Sequence, residues 1–331
     1  MMRSGRRGHL KQVATLGMGS LLPSSLSFHE ILSYTKSQRM TQQNSPFYHF
    51  RIGAIEATVI SDGQTLFPPH PLYAVNTTGE EVINALESHF LPTDLYRLQC
   101  NTLFLAMGNE KVLIDTGAGN TLGPGMGHLI LHMSKAGIEP KSISTILITH
   151  CHLDHIGGLM HEGRPLFPNA TLYISEQELN FWQAKNIDLN SMPIEESFKT
   201  NFKKAFHDNI LPLNDRINTF RFNEEIVPGI QAIETTGHSP GHTSYWIRSG
   251  SDSLLHTGDI FHHPAFDLEH PSWATAFDQD PPKAYKTRRK ILDMASFERV
   301  PVMSYHMPFP ALGHIFARGN HYGWEPAPWI L

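Results

Sequence analysis

Six consecutive positions, His150-Cys151-His152-Leu153-Asp154-His155, carry three imidazoles and one carboxylate, separated only by Thr149 from the apolar run Ile146-Leu147-Ile148. Such groups cost free energy when a strand end buries them without partners, and they are the side chains that bind divalent cations. The cluster cannot close on one tetrahedral ion as a simple helical pair does. On a tight loop, allowed by Gly157 and Gly158, His150 and His152 project together while Asp154 and His155 point to a second position a few ångströms away. Two cations are the expected consequence, with imidazole and carboxylate as ligands. The chain has 21 histidines but only two cysteines, Cys100 and Cys151, too few for a thiolate cage. Cys151 occupies an alternate position that turns it away from the ions, and two unpaired thiols are expected rather than a disulfide. Each half-site is still short of ligands, and His238, Asp259 and His306 are the candidates to fill them.

These candidates share one placement. His150 follows "STILIT", His238 follows "IQAIETTG", Asp259 follows "SLLHTG" and His306 follows "VPVMSY", so each sits just past an apolar strand, where α/β sheets bind their ligands. Further strands are predicted from Phe47 to an Asp62-Gly63 turn, around a Gly108-Asn109 turn, at "ATLYIS" and at "TSYWIRSG". Helices are predicted at "MGHLILHMSKAG", stopping at Gly137, at "EQELNFWQAKN" and at "PKAYKTRRKILDMAS". The stretch from Leu189 to Asn218 reads as mobile. Strands alternating with helices predict an α/β layered architecture.

The 331 residues are 40% hydrophobic, enough to bury a sizeable core, and carry a formal net charge of −5. Outside the first dozen residues there is no Lys/Arg-rich run, which argues against nucleic acid or an anionic membrane as partner. Residues 1–27 begin with a basic stretch containing Arg6 and Arg7, pass through a modest apolar stretch from Val13 to Leu22, and end in small residues, the layout of a twin-arginine-like export signal. That apolar stretch is too short to span a bilayer. The expected location is periplasmic or secreted, or cytoplasmic if the signal does not function. Residues 28–45 read as a linker, and 46–331 as the functional domain.

The His150–His155 string with Gly157-Gly158, the later "TTGHSPGHTSYW", "LLHTGD" ending in Asp259, and "SYHMPFP" resemble the metallo-β-lactamase superfamily from about residue 48 onward. The resemblance implies an αββα sandwich: two mixed β-sheets face to face, helices outside, a metal site at one edge. It further implies that one ion, expected to be Zn²⁺, takes His150, His152 and His238. A second takes Asp154, His155 and His306, and Asp259 bridges the two. Asp115 has a supporting role. The implied reaction is hydrolysis by a hydroxide shared between two cations, with Asp154 available to take a proton. His242 and His256 are candidates to orient the ligands, though solvent-facing positions fit them equally.

Segments such as "FPNATLYISEQELNFW", "FDLEHPSWATAFDQDPPKA" and "HYGWEP" are similar to the methyl parathion hydrolase group, itself related to quorum-quenching lactonases. This implies a small neutral substrate: a phosphotriester, an aryl ester, or a lactone such as an acyl-homoserine lactone. Trp182 and one of Phe198 or Phe202 match aromatics that frame the leaving-group pocket, although Trp182 fits a core-facing helix residue equally well. Leu122 stands where that group has an aromatic, which leaves lactone or carboxylic ester activity open. A cysteine is expected at the Asp259 position in better-known zinc β-lactamases, which weighs against antibiotic hydrolysis. A di-iron redox centre on the same ligands is the remaining class, but flavodiiron proteins add a flavin domain, and none is expected after Leu331. A homodimer is the family-level expectation.

Overall fold

A computed structural model describes residues 44–328. The expected export signal, and all but the end of the expected linker, lie outside the described residues. The described chain forms two seven-stranded sheets, each of which runs through its strands in sequence order. The first contains β1 (Phe47–Ile52), β2 (Ile55–Phe67), β3 (Tyr96–Met107), β4 (Glu110–Ile114), β5 (Thr145–Leu147), β6 (Thr171–Ser175) and β7 (Ile217–Phe220). The second contains β8 (Glu225–Val227), β9 (Ile230–Glu234), β10 (Thr243–Ser249), β11 (Asp252–His256), β12 (Val302–Met303), β13 (Leu312–Arg318) and β14 (His321–Pro326). Strands β1 to β4 pair antiparallel, β1–β2 and β3–β4 as hairpins, and β4, β5, β6 and β7 then pair parallel. The second sheet has the same antiparallel start through β8 to β11, then one parallel pair, β11 with β12. Parallel pairing requires crossover segments, and those segments carry the helices other than the one at Gly79–Ser88, which lies between the antiparallel β2 and β3.

The helices are α1 (Gly79–Ser88), α2 (Leu129–Lys135), α3 (Leu153–Ile156), α4 (Glu176–Trp182), α5 (Glu196–Asn209) and α6 (Pro281–Glu298). Side-chain alternation along the strands sorts the interior into two cores. On β3, Leu103 and Leu105 join Ile230, Tyr245 and Ile247 of the second sheet, while Phe104 turns the other way toward Leu129, Leu179 and Phe206 of the helical layer. On the far side, Ile291, Leu292 and Ala295 of α6 cover the second sheet. The layers are therefore helix, sheet, sheet, helix, as the sequence implied.

Four features depart from the sequence reading, the first being Asp62-Gly63, which is a bulge inside β2 rather than a turn at a strand end. The Leu189–Asn218 stretch is not a mobile loop: it contains α5, which buries Phe198, Phe202, Ala205 and Phe206. Its apolar residues recur at helical spacing, but intervening Lys, Asn and His residues dilute the pattern. Helix α1 was not foreseen, although Thr78 and Glu81 form a reciprocal capping box at its start. The β13–β14 hairpin was also missed, despite the Gly319-Asn320 turn between its strands.

The turn after α3 depends on close backbone packing. A Cβ at Gly158 would lie 1.9 Å from the Thr116 carbonyl oxygen, and one at Gly157 would lie 2.2 Å from that of Ala118. Because both obstacles are main chain, neither can swing aside. Gly158→Ala is expected to destabilise the protein by about 2 kcal/mol or more. A thermal melt indistinguishable from the parent's would show that this turn tolerates a side chain.

Candidate metal centre

Five strand ends deliver the site to one rim between the sheets. Asp115 follows β4, the Thr149–His155 loop follows β5, His238 follows β9, Asp259 follows β11 and His306 follows β12. All seven residues expected to ligate are buried, at 0–9% exposure. The structure brings them together. Ligand atoms of His150, His152 and His238 lie within 4.8 Å of one another, and His238 Nε2 is 3.0 Å from His152 Nδ1. Beside them, the Nε2 atoms of His155 and His306 are 3.2 and 3.0 Å from Asp259 Oδ2. Asp154 Oδ2 is 3.4 Å from His306 Nε2. Asp259 Oδ2 also lies 3.8 Å from His150 Nε2 and 3.6 Å from His238 Nε2, so its carboxylate stands between the two groups.

Four of the five candidate imidazoles are oriented from behind. His155 Nδ1 donates to Asp115 Oδ2 at 2.8 Å, His238 Nδ1 to Asp278 Oδ1 at 2.9 Å, and His306 Nδ1 to the Gln99 carbonyl at 2.7 Å. The Thr149 hydroxyl donates to Asp115 Oδ2 and therefore accepts from His150 Nδ1, 3.1 Å away. With Nδ1 committed as a donor, Nε2 of each of these four rings presents its lone pair inward, whereas His152 turns Nδ1 toward His238 Nε2. Asp115 occupies a left-handed backbone position (φ 59°), a strain that the Thr149 N–H, donating at 2.8 Å, helps to hold.

His242 acts differently from the expectation. Its Nε2 accepts the Asp259 N–H at 3.0 Å, so it fixes the carboxylate's backbone rather than a ligating ring. Burial pushes its pKa down to about 3, which keeps the ring a neutral acceptor. His256 neither orients a ligand nor faces solvent: it is fully buried on β11, and burial holds its pKa to about 4.

The electrostatics favour cations. Burial, reinforced by the neighbouring imidazoles, pushes His150 and His152 well below the usual histidine range, leaving them neutral and able to ligate. Burial also opposes charge on His155, but the carboxylates of Asp259, Asp115 and Asp154 outweigh it and pull that ring up. Three buried acids around one imidazole form a strongly negative pocket. His150 Nε2 and Asp259 Oδ1 are buried without a hydrogen-bond partner among the described residues. Neutral imidazoles, carboxylates and inward-facing orphaned atoms fit divalent metal ions with nitrogen and oxygen ligands.

Above the donors lies a small cavity with apolar walls that include Phe67, Tyr73, Leu98, Leu122, Phe198, Phe202 and Phe277. Leu122, Phe198 and Phe202 thus sit where the sequence suggested. Trp182 does not line this cavity: it is a layer behind His152, stacked on Phe206 at 5.9 Å. The inward face of α4 packs against α5, which puts the indole in the core. Tyr73, Phe67, Leu98, Phe277 and His262 were not foreseen. His262 lies three residues after Asp259, with Nε2 3.9 Å from Asp259 Oδ2, and that spacing was the available signal. Asp62, also unforeseen, holds the loop that carries Leu122 by accepting N–H groups of Ala118, Gly127 and Leu129 at 2.9–3.0 Å. Both cysteines are free and buried.

A profile described as the Metallo-beta-lactamase superfamily matches residues 95–304, and the chain belongs to that superfamily. The chain is 29% identical over 164 residues to the probable metallo-hydrolase YqgX of Bacillus subtilis, covering 49% of this chain and 66% of that protein. It is 29% identical over 154 residues to an N-acyl homoserine lactonase of Bacillus cereus, covering 45% and 52%. The matched stretches therefore span between about half and two thirds of these relatives' lengths. Among solved structures, AidC, described as a dizinc quorum-quenching lactonase in complex with a product, superposes with a TM-score of 0.80 at 23% identity, covering 87% of this chain and 100% of AidC. The hydrolase AbOPH of the beta lactamase superfamily superposes equally well, at 0.80 and 26% identity, over the same 87% and 100%.

Metal ions that bind only the folded site stabilise it by mass action, by about 4 kcal/mol at a thousandfold excess over the dissociation constant. Adding Zn²⁺ to chelator-stripped protein is expected to raise Tm, and Asp259→Asn to remove most of that rise. Equal metal-induced shifts in the two proteins would exclude Asp259 as a ligand.

Proposed function

We propose that the protein is a binuclear metal-dependent hydrolase that cleaves neutral esters, among which we include lactones, aryl esters and phosphotriesters. The convergence of seven imidazole and carboxylate side chains beneath an apolar cavity carries this reading. His150, His152 and His238 would hold one divalent ion; Asp154, His155 and His306 a second; Asp259 both, with Zn²⁺ the ion that suits these ligands best. Such ions supply an activated water and polarise the attacked carbonyl or phosphoryl oxygen.

The chain's own residues do the rest. Phe198, Phe202 and Leu122 exclude bulk water and hold the substrate's apolar part. Asp154, the most accessible of the site's carboxylates, faces the cavity and is placed to take a proton from the attacking water and return it to the leaving oxygen as that bond breaks. The Tyr73 hydroxyl is buried without a partner among the described residues, and burial holds its pKa well above the usual range, so it remains a donor for a substrate oxygen. No lysine or arginine is among the described residues lining the cavity, which suits an uncharged substrate and disfavours a β-lactam, with its obligatory carboxylate.

A narrower reading, hydrolysis of N-acyl homoserine lactones, is supported by the lactonases among the sequence relatives and by the AidC likeness. Export to the periplasm rests on residues 1–27 alone.

Purified, metal-loaded protein should be assayed in parallel on an aryl ester, an acyl-homoserine lactone, a phosphotriester and a β-lactam. Turnover is expected on at least one of the first three, with His152→Ala and Asp259→Ala lowering it by about a thousandfold or more while the fold persists. Preferred turnover of the β-lactam, or undiminished activity in either variant, would overturn the proposal.

A further inference from the structure

Glu178 lies on α4, outside the ligand set, and is fully buried. A buried carboxylate needs several donors, and this one has four. Its Oε1 accepts the Cys151 N–H at 2.8 Å and the Trp182 Nε1–H at 2.8 Å. Its Oε2 accepts the Ser239 hydroxyl at 2.7 Å and the Gly241 N–H at 2.8 Å. One oxygen therefore grips the loop between His150 and His152, and the other grips the loop just after His238. These two loops carry all three ligands of one half-site, and they come from different sheets. Close approach supports the same arrangement: a Cβ at Gly241 would lie 2.2 Å from the Glu178 nitrogen and 2.4 Å from Ser175 Oγ.

We infer that Glu178 is a positioning residue that ties the two loops together and so presets the His150–His152–His238 half-site before any ion arrives. The other half-site is braced independently, by Asp115 behind His155 and the Gln99 carbonyl behind His306. The inference rests on the metal-site reading above and adds a selectivity that reading lacks. Glu178→Gln keeps the side chain's shape but replaces one oxygen with an N–H₂ group. Whichever way the amide turns, the Cys151 N–H on one side or the Ser239 and Gly241 donors on the other then face another donor, and the tie is cut. The fold does not depend on it alone, because the Thr243 N–H also donates to the Thr149 carbonyl at 2.9 Å and the Tyr245 hydroxyl to that of Ile148 at 2.6 Å.

Chelator-stripped protein titrated with Zn²⁺ against a chromophoric competitor distinguishes the outcomes. The parent is expected to bind two ions, and His238→Ala identifies which step belongs to the first half-site. Glu178→Gln is expected to weaken that step by about 10–100-fold and to leave the other nearly unchanged, with excess Zn²⁺ restoring occupancy. Glu176→Ala, an exposed change on the same helix, should alter neither step, and circular dichroism of the stripped proteins checks the fold. Unchanged affinity at both steps, or equal loss at both, overturns the inference while leaving the metal site intact. A parent protein that binds no ion removes the metal-site reading itself, and this inference with it.

Discussion

Everything in this structure answers to one electrostatic constraint: carboxylates and imidazole lone pairs crowd within a few ångströms of each other in a dry interior. Asp259 Oδ2 alone is within 3.9 Å of ligating nitrogens of His150, His155, His238 and His306 and of His262 Nε2. Left to themselves, such groups would draw in water, protons or a different backbone. Most are held from outside the cluster: Asp115, Asp278 and a backbone carbonyl orient rings, His242 holds the Asp259 amide, and Glu178 joins two loops. Stability is thereby committed to an arrangement that only positive charge at its centre completes.

This holding framework reaches well beyond the site. Asp278, behind His238, is 3.5 Å from the buried Arg288 guanidinium, and Asp267, which accepts the His262 N–H at 2.6 Å, is 3.7 Å from the same group. Arg288 belongs to α6, on the outside of the second sheet, and also donates to the carbonyls of Ile260, Pro271 and Trp273. A helix far in sequence from the histidine cluster thus fixes both the segment after Asp259 and the back of a ligating ring. Such a buried ion network specifies geometry more than it adds net stability.

The substrate side obeys a different logic. Its walls are aromatic and aliphatic, and they come from the loop after β2, from β3, from the glycine-rich loop pinned by Asp62, and from α5. Polar donors are few and directed, with the unpartnered Tyr73 hydroxyl among them. In the proposed function, apolar walls over a charged floor would place an uncharged molecule against the reactive end and keep bulk water away from it.

The sequence by itself determined the chemistry and the architecture that delivers it. The ligands form a compact string and short strand-end motifs, and local spacing reveals them because one loop must supply several donors. Strand alternation, visible in stretches such as Phe47–Ile52, likewise showed which face of a strand is covered. Only the tertiary structure decided the rest. Nothing near Glu178, Asp278, Arg288 or Asp62 announces its role, because their partners lie tens of residues away and a lone acid in a helix looks solvated. Trp182 turned out to be core and Tyr73 to be wall, since a side chain's surroundings depend on how α4 and α5 pack, and on how a loop folds back. Short-range spacing can specify what a metal needs, whereas the shape of a cavity and the bracing of its ligands arise from contacts that exist only once the layers have met.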